Sequence, residues 1–148
     1  MPEAITKYAI NSTLGTEEFR PLDKIIIGQK ALVGSDTTLK VLSNGVSLSD
    51  EQTITLGEII PKMNGVLRLK ATANIDNYYS GAITIYINEN AILTFSSQNV
   101  ETKFADFNVQ KGETYTFKIY ADIYGGGSPR LSSAMICGMV ADVNEIFE

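Results

Sequence analysis

The 148 residues contain no histidine, and Cys137 is the single cysteine. The commonest general base, the commonest metal ligand and any internal disulfide are thereby excluded. What remains for acid–base or nucleophilic work is carboxylate, serine and lysine. Asp76, Asp106, Glu113 and Asp122 stand at separate turns and strand positions, and no spacing brings two of them together. Ser132 and Ser133 lie in an expected strand with no base near them. Gly125-Gly126-Gly127 leads into Ser128-Pro129 and a strand, whereas a phosphate loop leads into a helix N-terminus. Asn74-Ile75-Asp76-Asn77 offers oxygens of the kind calcium takes, but lacks the spaced acidic set of a calcium loop. These residues predict no catalytic group, no cofactor and no metal.

The tyrosines carry more information. Tyr86, Tyr120 and Tyr124 alternate away from the expected core, and Tyr78 and Tyr79 sit on a loop. Aromatic rings on a sheet surface pack across strands, anchor a protein interface or stack on sugar rings.

The elements that must position these rings are strands. From Leu56 to Val143 apolar residues alternate between turn signals, the mark of an antiparallel β-sandwich. The expected strands cover Thr53–Ile60, Val66–Ala73, Ala82–Asn88, Ala91–Phe95, Thr102–Val109, Thr114–Tyr124 and Ser132–Val143. Ser43-Asn44-Gly45, Asn64-Gly65 and Lys111-Gly112 are turns, because Asn and Gly tolerate positive φ. Asn74–Gly81 is read as a loop. Cys137 is expected as a small buried apolar residue in a strand covered on both faces. No segment keeps helical spacing for three turns.

Residues 1–50 read differently and are expected to form an extended arm, with the sandwich over 51–148. Tyr8, Ile10, Leu14, Phe19, Leu22 and Ile26 hold no single period, and Arg20-Pro21 disfavours helix at residue 20. Lys24–Ile27 and Thr38–Leu42 are the arm's strand candidates. Its apolar residues need a cover, either the chain's own sandwich or another subunit.

Hydrophobic residues make up 44% and charged residues 20%, which places the chain among globular proteins. A net charge of −5 with scattered Lys and Arg argues against nucleic acid as a partner. The longest aliphatic run is Ile25–Ile27, too short to span a membrane. The first residues lack the basic start and apolar run of a signal peptide, so synthesis and assembly in the cytosol are expected.

The stretch from Ile60 to Tyr124 opens with Pro61-Lys62-Met63-Asn64-Gly65-Val66-Leu67-Arg68. Near its end stands Val109-Gln110-Lys111-Gly112-Glu113-Thr114-Tyr115-Thr116-Phe117. It resembles the small jelly-roll modules of bacteriophage virions: head decoration proteins, head fibres and tail-fibre tips. The leader, with Lys7-Tyr8-Ala9-Ile10-Asn11-Ser12 and Phe19-Arg20-Pro21-Leu22-Asp23, resembles the attachment arm of such proteins. The Lys-Gly-Glu-Thr turn also occurs in unrelated sandwiches.

The resemblance implies a jelly-roll-like, all-β, non-enzymatic structural protein of a virion, assembled in the host cytoplasm. It would be a capsid decoration (cement) protein docked through its arm on the major capsid or tail protein. It would be a homo-oligomer, since such modules are commonly trimers. The alternative is a tail-associated receptor- or carbohydrate-binding module that uses the tyrosines.

Overall fold

The computed structural model describes residues 30–142. Among them are nine strands: β1 (Lys30–Ser43), β2 (Val46–Ser47), β3 (Thr53–Ile59), β4 (Gly65–Asp76), β5 (Ser80–Ile87), β6 (Asn90–Phe95), β7 (Glu101–Val109), β8 (Tyr115–Tyr124) and β9 (Ser128–Asp142). They form two sheets, a five-stranded one in the order β2-β9-β1-β4-β7 and a four-stranded one in the order β3-β8-β5-β6. The chain is an all-β sandwich, as its alternation requires.

Period-two patterning explains why the sheets face each other. On β4, Leu67, Leu69, Ala71, Ala73 and Ile75 are buried, and on β5, Ile83, Ile85 and Ile87 are buried. Phe117, Ile119, Ala121 and Ile123 of β8 complete the layer. Each large side chain removed from water contributes about 1.5–3 kcal/mol. Register fixes these faces: β4 pairs β7 from Gly65↔Val109 to Ala73↔Glu101, and β8 pairs β5 from Tyr124↔Ser80 to Phe117↔Ile87. A slip of one residue would turn every core side chain outward.

Two expectations change. The sandwich begins before residue 51: β1 and β2 join the five-stranded sheet, Leu48 is buried in the core, and Ala31–Ala141 forms one compact unit. The strand candidate Thr38–Leu42 is part of β1, while Lys24–Ile27 lies outside the described residues. The loop expected over Asn74–Gly81 shortens, because β4 runs on to Asp76. Its end is held by Ile75 N–H donating to the Ser97 carbonyl and by the buried Asn74 amide donating to Asp76 and to the Gln98 carbonyl. Near the end of β9 Val140 is exposed, where the strand has run past its last β4 pair, Cys137↔Arg68. Cys137 itself is buried.

An ion network occupies the outer face of the five-stranded sheet. Arg68 donates to both Asp106 oxygens, at 2.7 and 3.3 Å, and to Asp36 at 3.0 Å. Its guanidinium lies 4.3 Å from the Phe104 ring centre. The hydrogen bonds from Arg68 hold the Asp106 carboxyl below the usual carboxylate range. A carboxyl depressed in the folded state stabilises the fold above its unfolded value of 3.8 and loses that contribution as pH falls through the lower folded value. Asp106→Asn is therefore expected to lower the melting temperature by a few degrees at neutral pH. The gap from wild type should close below pH 3.8. Melting curves across pH check this, and a gap constant with pH would contradict it.

Candidate functional site

The opposite outer face, on the four-stranded sheet, is built differently. Strand β8 alternates Phe117, Ile119, Ala121 and Ile123 inward with Lys118, Tyr120, Asp122 and Tyr124 outward. In register, Tyr120 stands between Thr53 of β3 and Thr84 of β5, and Lys118 stands between Thr55 and Tyr86. Tyr86 is thus one diagonal step from Tyr120 on the same face, within reach of one ligand ring or two adjacent ones. The result is a shallow surface with two half-exposed phenol rings, three threonines, one cation and one carboxylate. Neither Lys118 nor Asp122 is in an ion pair among the described residues.

The loop before β3 forms the rim of this face. Asp50 accepts a hydrogen bond from Ile123 N–H at 2.8 Å, and Glu51 N–H donates to the Ala121 carbonyl at 2.7 Å. Glu51 has a positive φ of 61°, the turn that lets this loop close on the edge of β8. Burial pushes the Tyr120 phenol above its ordinary value, and the charges of Asp122, Glu51 and Asp50 push it further in the same direction. The hydroxyl therefore keeps its proton and remains a donor as well as an acceptor.

At the far end of β8, Tyr124 pairs with Ser80 and is 57% exposed. Tyr79, 78% exposed, lies against Gly125. The structure thus brings Tyr86, Tyr120 and Tyr124 to one face and sets Tyr79 at its end. Tyr78 departs from the expected group. It packs against the core and its hydroxyl donates to the Gly81 carbonyl at 3.3 Å, so it fixes the β4–β5 turn. The arm residues Tyr8, Ile10, Leu14, Phe19, Leu22 and Ile26 lie outside the described residues.

Among the described residues no three His, Cys, Asp or Glu groups converge as metal ligands. At Asn74, in the segment whose oxygens are of the kind calcium takes, the amide nitrogen donates to Asp76 and to the Gln98 carbonyl. What sequence reasoning missed is the acidic rim from Asp50 and Glu51, residues that belong to an irregular segment whose placement depends on hydrogen bonds to β8.

No protein-family model and no curated protein matches the chain. Among solved structures, it is similar to a family 35 carbohydrate binding module from an environmental isolate (16% identity, 64% of this chain and 72% of that one, TM-score 0.45). It is also similar to a family 35 module from Paenibacillus barcinonensis (13% identity, 68% and 98%, TM-score 0.45). A third is the module CBM6cm-2 of Cellvibrio mixtus lichenase 5A, in complex with cellotriose (12% identity, 75% and 97%, TM-score 0.42). At identities this low, the residues of this chain have to decide its function.

Proposed function

We propose that this chain is a non-catalytic binding module for neutral glycans, using the outer face of its four-stranded sheet. The observation that carries the reading is the register that sets Tyr120 between Thr53 and Thr84 with Tyr86 on the diagonal. Phenol rings supply the apolar platform on which the C–H face of a pyranose stacks. Threonine hydroxyls, Lys118 and Asp122 supply donors and acceptors for the sugar's equatorial hydroxyls. The acidic rim of Asp50, Glu51 and Asp122 repels uronates and sulfated sugars, which selects neutral chains. The other broad face differs: the Arg68 ion network occupies it, with the guanidinium against the exposed Phe104 ring. Capsid decoration, the first expectation from the sequence, has no observation among the described residues in its favour.

Affinity electrophoresis through gels containing neutral polysaccharides tests the reading. The wild type is expected to be retarded by at least one polysaccharide, and Tyr120→Ala to bind it about ten- to a hundredfold more weakly. Retardation by none, or equal retardation of Tyr120→Ala, would overturn it.

A further inference from the structure

The molecule has a concave feature away from the tyrosine face, at the end of the sandwich carrying the β5–β6 hairpin. A recess of about 260 Å³ opens there between the two sheets. Its floor is apolar and aromatic, formed by Ile92 of β6, Phe107 of β7 and Tyr115 of β8, with Phe107 and Tyr115 tilted at 6.3 Å between ring centres. Its rim carries Asn90 from one sheet and Asn108 from the other. Neither side-chain amide has a hydrogen-bond partner within the protein among the described residues, although the neighbouring amides do. Asn88 donates to the Thr114 carbonyl and accepts from Thr116 N–H, and Asn64 accepts from Lys111 N–H. The Tyr115 hydroxyl accepts from Gln110 N–H at 2.8 Å, which holds the ring in place at the floor.

The walls are preorganised. Asn88 and Glu89 both have positive φ, and Asn88 pins that turn to the start of β8. The Gln110–Glu113 turn is closed by Glu113 N–H donating to Gln110 and is anchored by Gly112 N–H donating to the Pro61 carbonyl. A preformed recess binds without paying to order its loops.

From this geometry we infer a second ligand subsite, one that takes a single neutral pyranose ring. The recess is smaller than the roughly 300–1,000 Å³ of drug-sized sites, so it fits one ring rather than a chain. Each free amide presents a donor and an acceptor side by side, the match for two vicinal hydroxyls. The phenylalanine and tyrosine of the floor take the ring's C–H face, and among the described residues no charged side chain lines the recess. The inference rests on the glycan-binding reading and extends it. The tyrosine face would lie along a chain, and the recess would hold one terminal or branching residue.

The test is a titration of isotope-labelled full-length protein with glucose, galactose, mannose and N-acetylglucosamine, followed by amide NMR. At least one sugar is expected to shift the side-chain amide signals of Asn90 and Asn108 saturably. The shifts should persist in Tyr120→Ala and weaken about tenfold in Asn108→Ala and in Asn90→Ala. Both asparagines are exposed, so these variants keep the fold, and the same spectra verify it. Absence of shifts there with all four sugars up to roughly 50 mM, a concentration that would reveal even millimolar binding, overturns the inference. So do unchanged shifts in both asparagine variants. Shifts that depend on protein concentration without sugar overturn it as well, in favour of self-association. The two readings separate cleanly. Recess shifts without polysaccharide retardation would leave the recess and remove the tyrosine face, and retardation without recess shifts would do the reverse.

Discussion

Gly81→Ala is expected to cost at least about 3 kcal/mol, a large part of the 5–15 kcal/mol that ordinarily holds a domain together. Gly81 has a φ of +108°, which an L side chain rarely adopts. A methyl group there would also meet the Asp122 carbonyl and the Ile123 Cα of the paired strand, since Gly81 stands opposite Ile123. Backbone on both sides cannot move aside without breaking the β5–β8 ladder. The same residue's carbonyl accepts the Tyr78 hydroxyl, so the β4–β5 turn would loosen together with Tyr79 above it. Urea unfolding by circular dichroism measures the loss. The comparison is Gly112→Ala, where φ is +84° but nothing lies within 4 Å of the added methyl, and where about 1 kcal/mol is expected. Equal losses at the two positions would mean that the close approach of β8 does not matter.

The strands that carry the tyrosines were legible because their pattern is strict. Val66–Ala73, Ala82–Asn88 and Thr114–Tyr124 alternate without a break, and the observed strands match them within a few residues at each end. The same alternation correctly sends Tyr86, Tyr120 and Tyr124 to the outer face. Loop residues have no period, so nothing local distinguishes Tyr78, which turns inward, from Tyr79, which stays exposed. Strand β1 was only partly legible for a different reason. Its middle, Gly34-Ser35-Asp36-Thr37-Thr38, has no apolar alternation, and it is a strand because of partners distant in sequence: Leu32 pairs Gly65, and Asp36 binds Arg68. Tertiary context of that kind overrides local pattern.

The recess was invisible in the sequence because four strand ends build it. Ile92, part of its floor, sits at the irregularity where pairing passes from Ile85↔Leu93 to Tyr86↔Ala91. A bulge re-aims one side chain and leaves little trace in composition. Asn90 and Asn108, which meet at the rim, are separated in sequence by most of β6 and most of β7. Both read simply as turn and surface residues.

Phe117→Ala is the second large effect, expected to cost about 3–5 kcal/mol. Phe117 is fully buried, paired to Gly57 on one side and Ile87 on the other, and Phe107 meets its ring edge-on at 5.8 Å and 71°. Removing the ring leaves a void that close-packed neighbours fill only partly. The loss should spread unevenly. Phe107 is the shared element between this core ring and the recess floor, so the sugar-dependent shifts of Asn90 and Asn108 should weaken. Tyr120 lies on the other side of β8 and is positioned by the ladders to β3 and β5, so polysaccharide retardation should survive where the variant is folded. Phe117→Leu keeps most of the volume and should recover more than half of the stability. Urea midpoints measure the stability, with exposed Phe104→Ala as the reference. A Phe117→Ala midpoint no lower than that reference would show that the two sheets do not depend on this ring for their packing. The recess would then need another explanation for its rigidity.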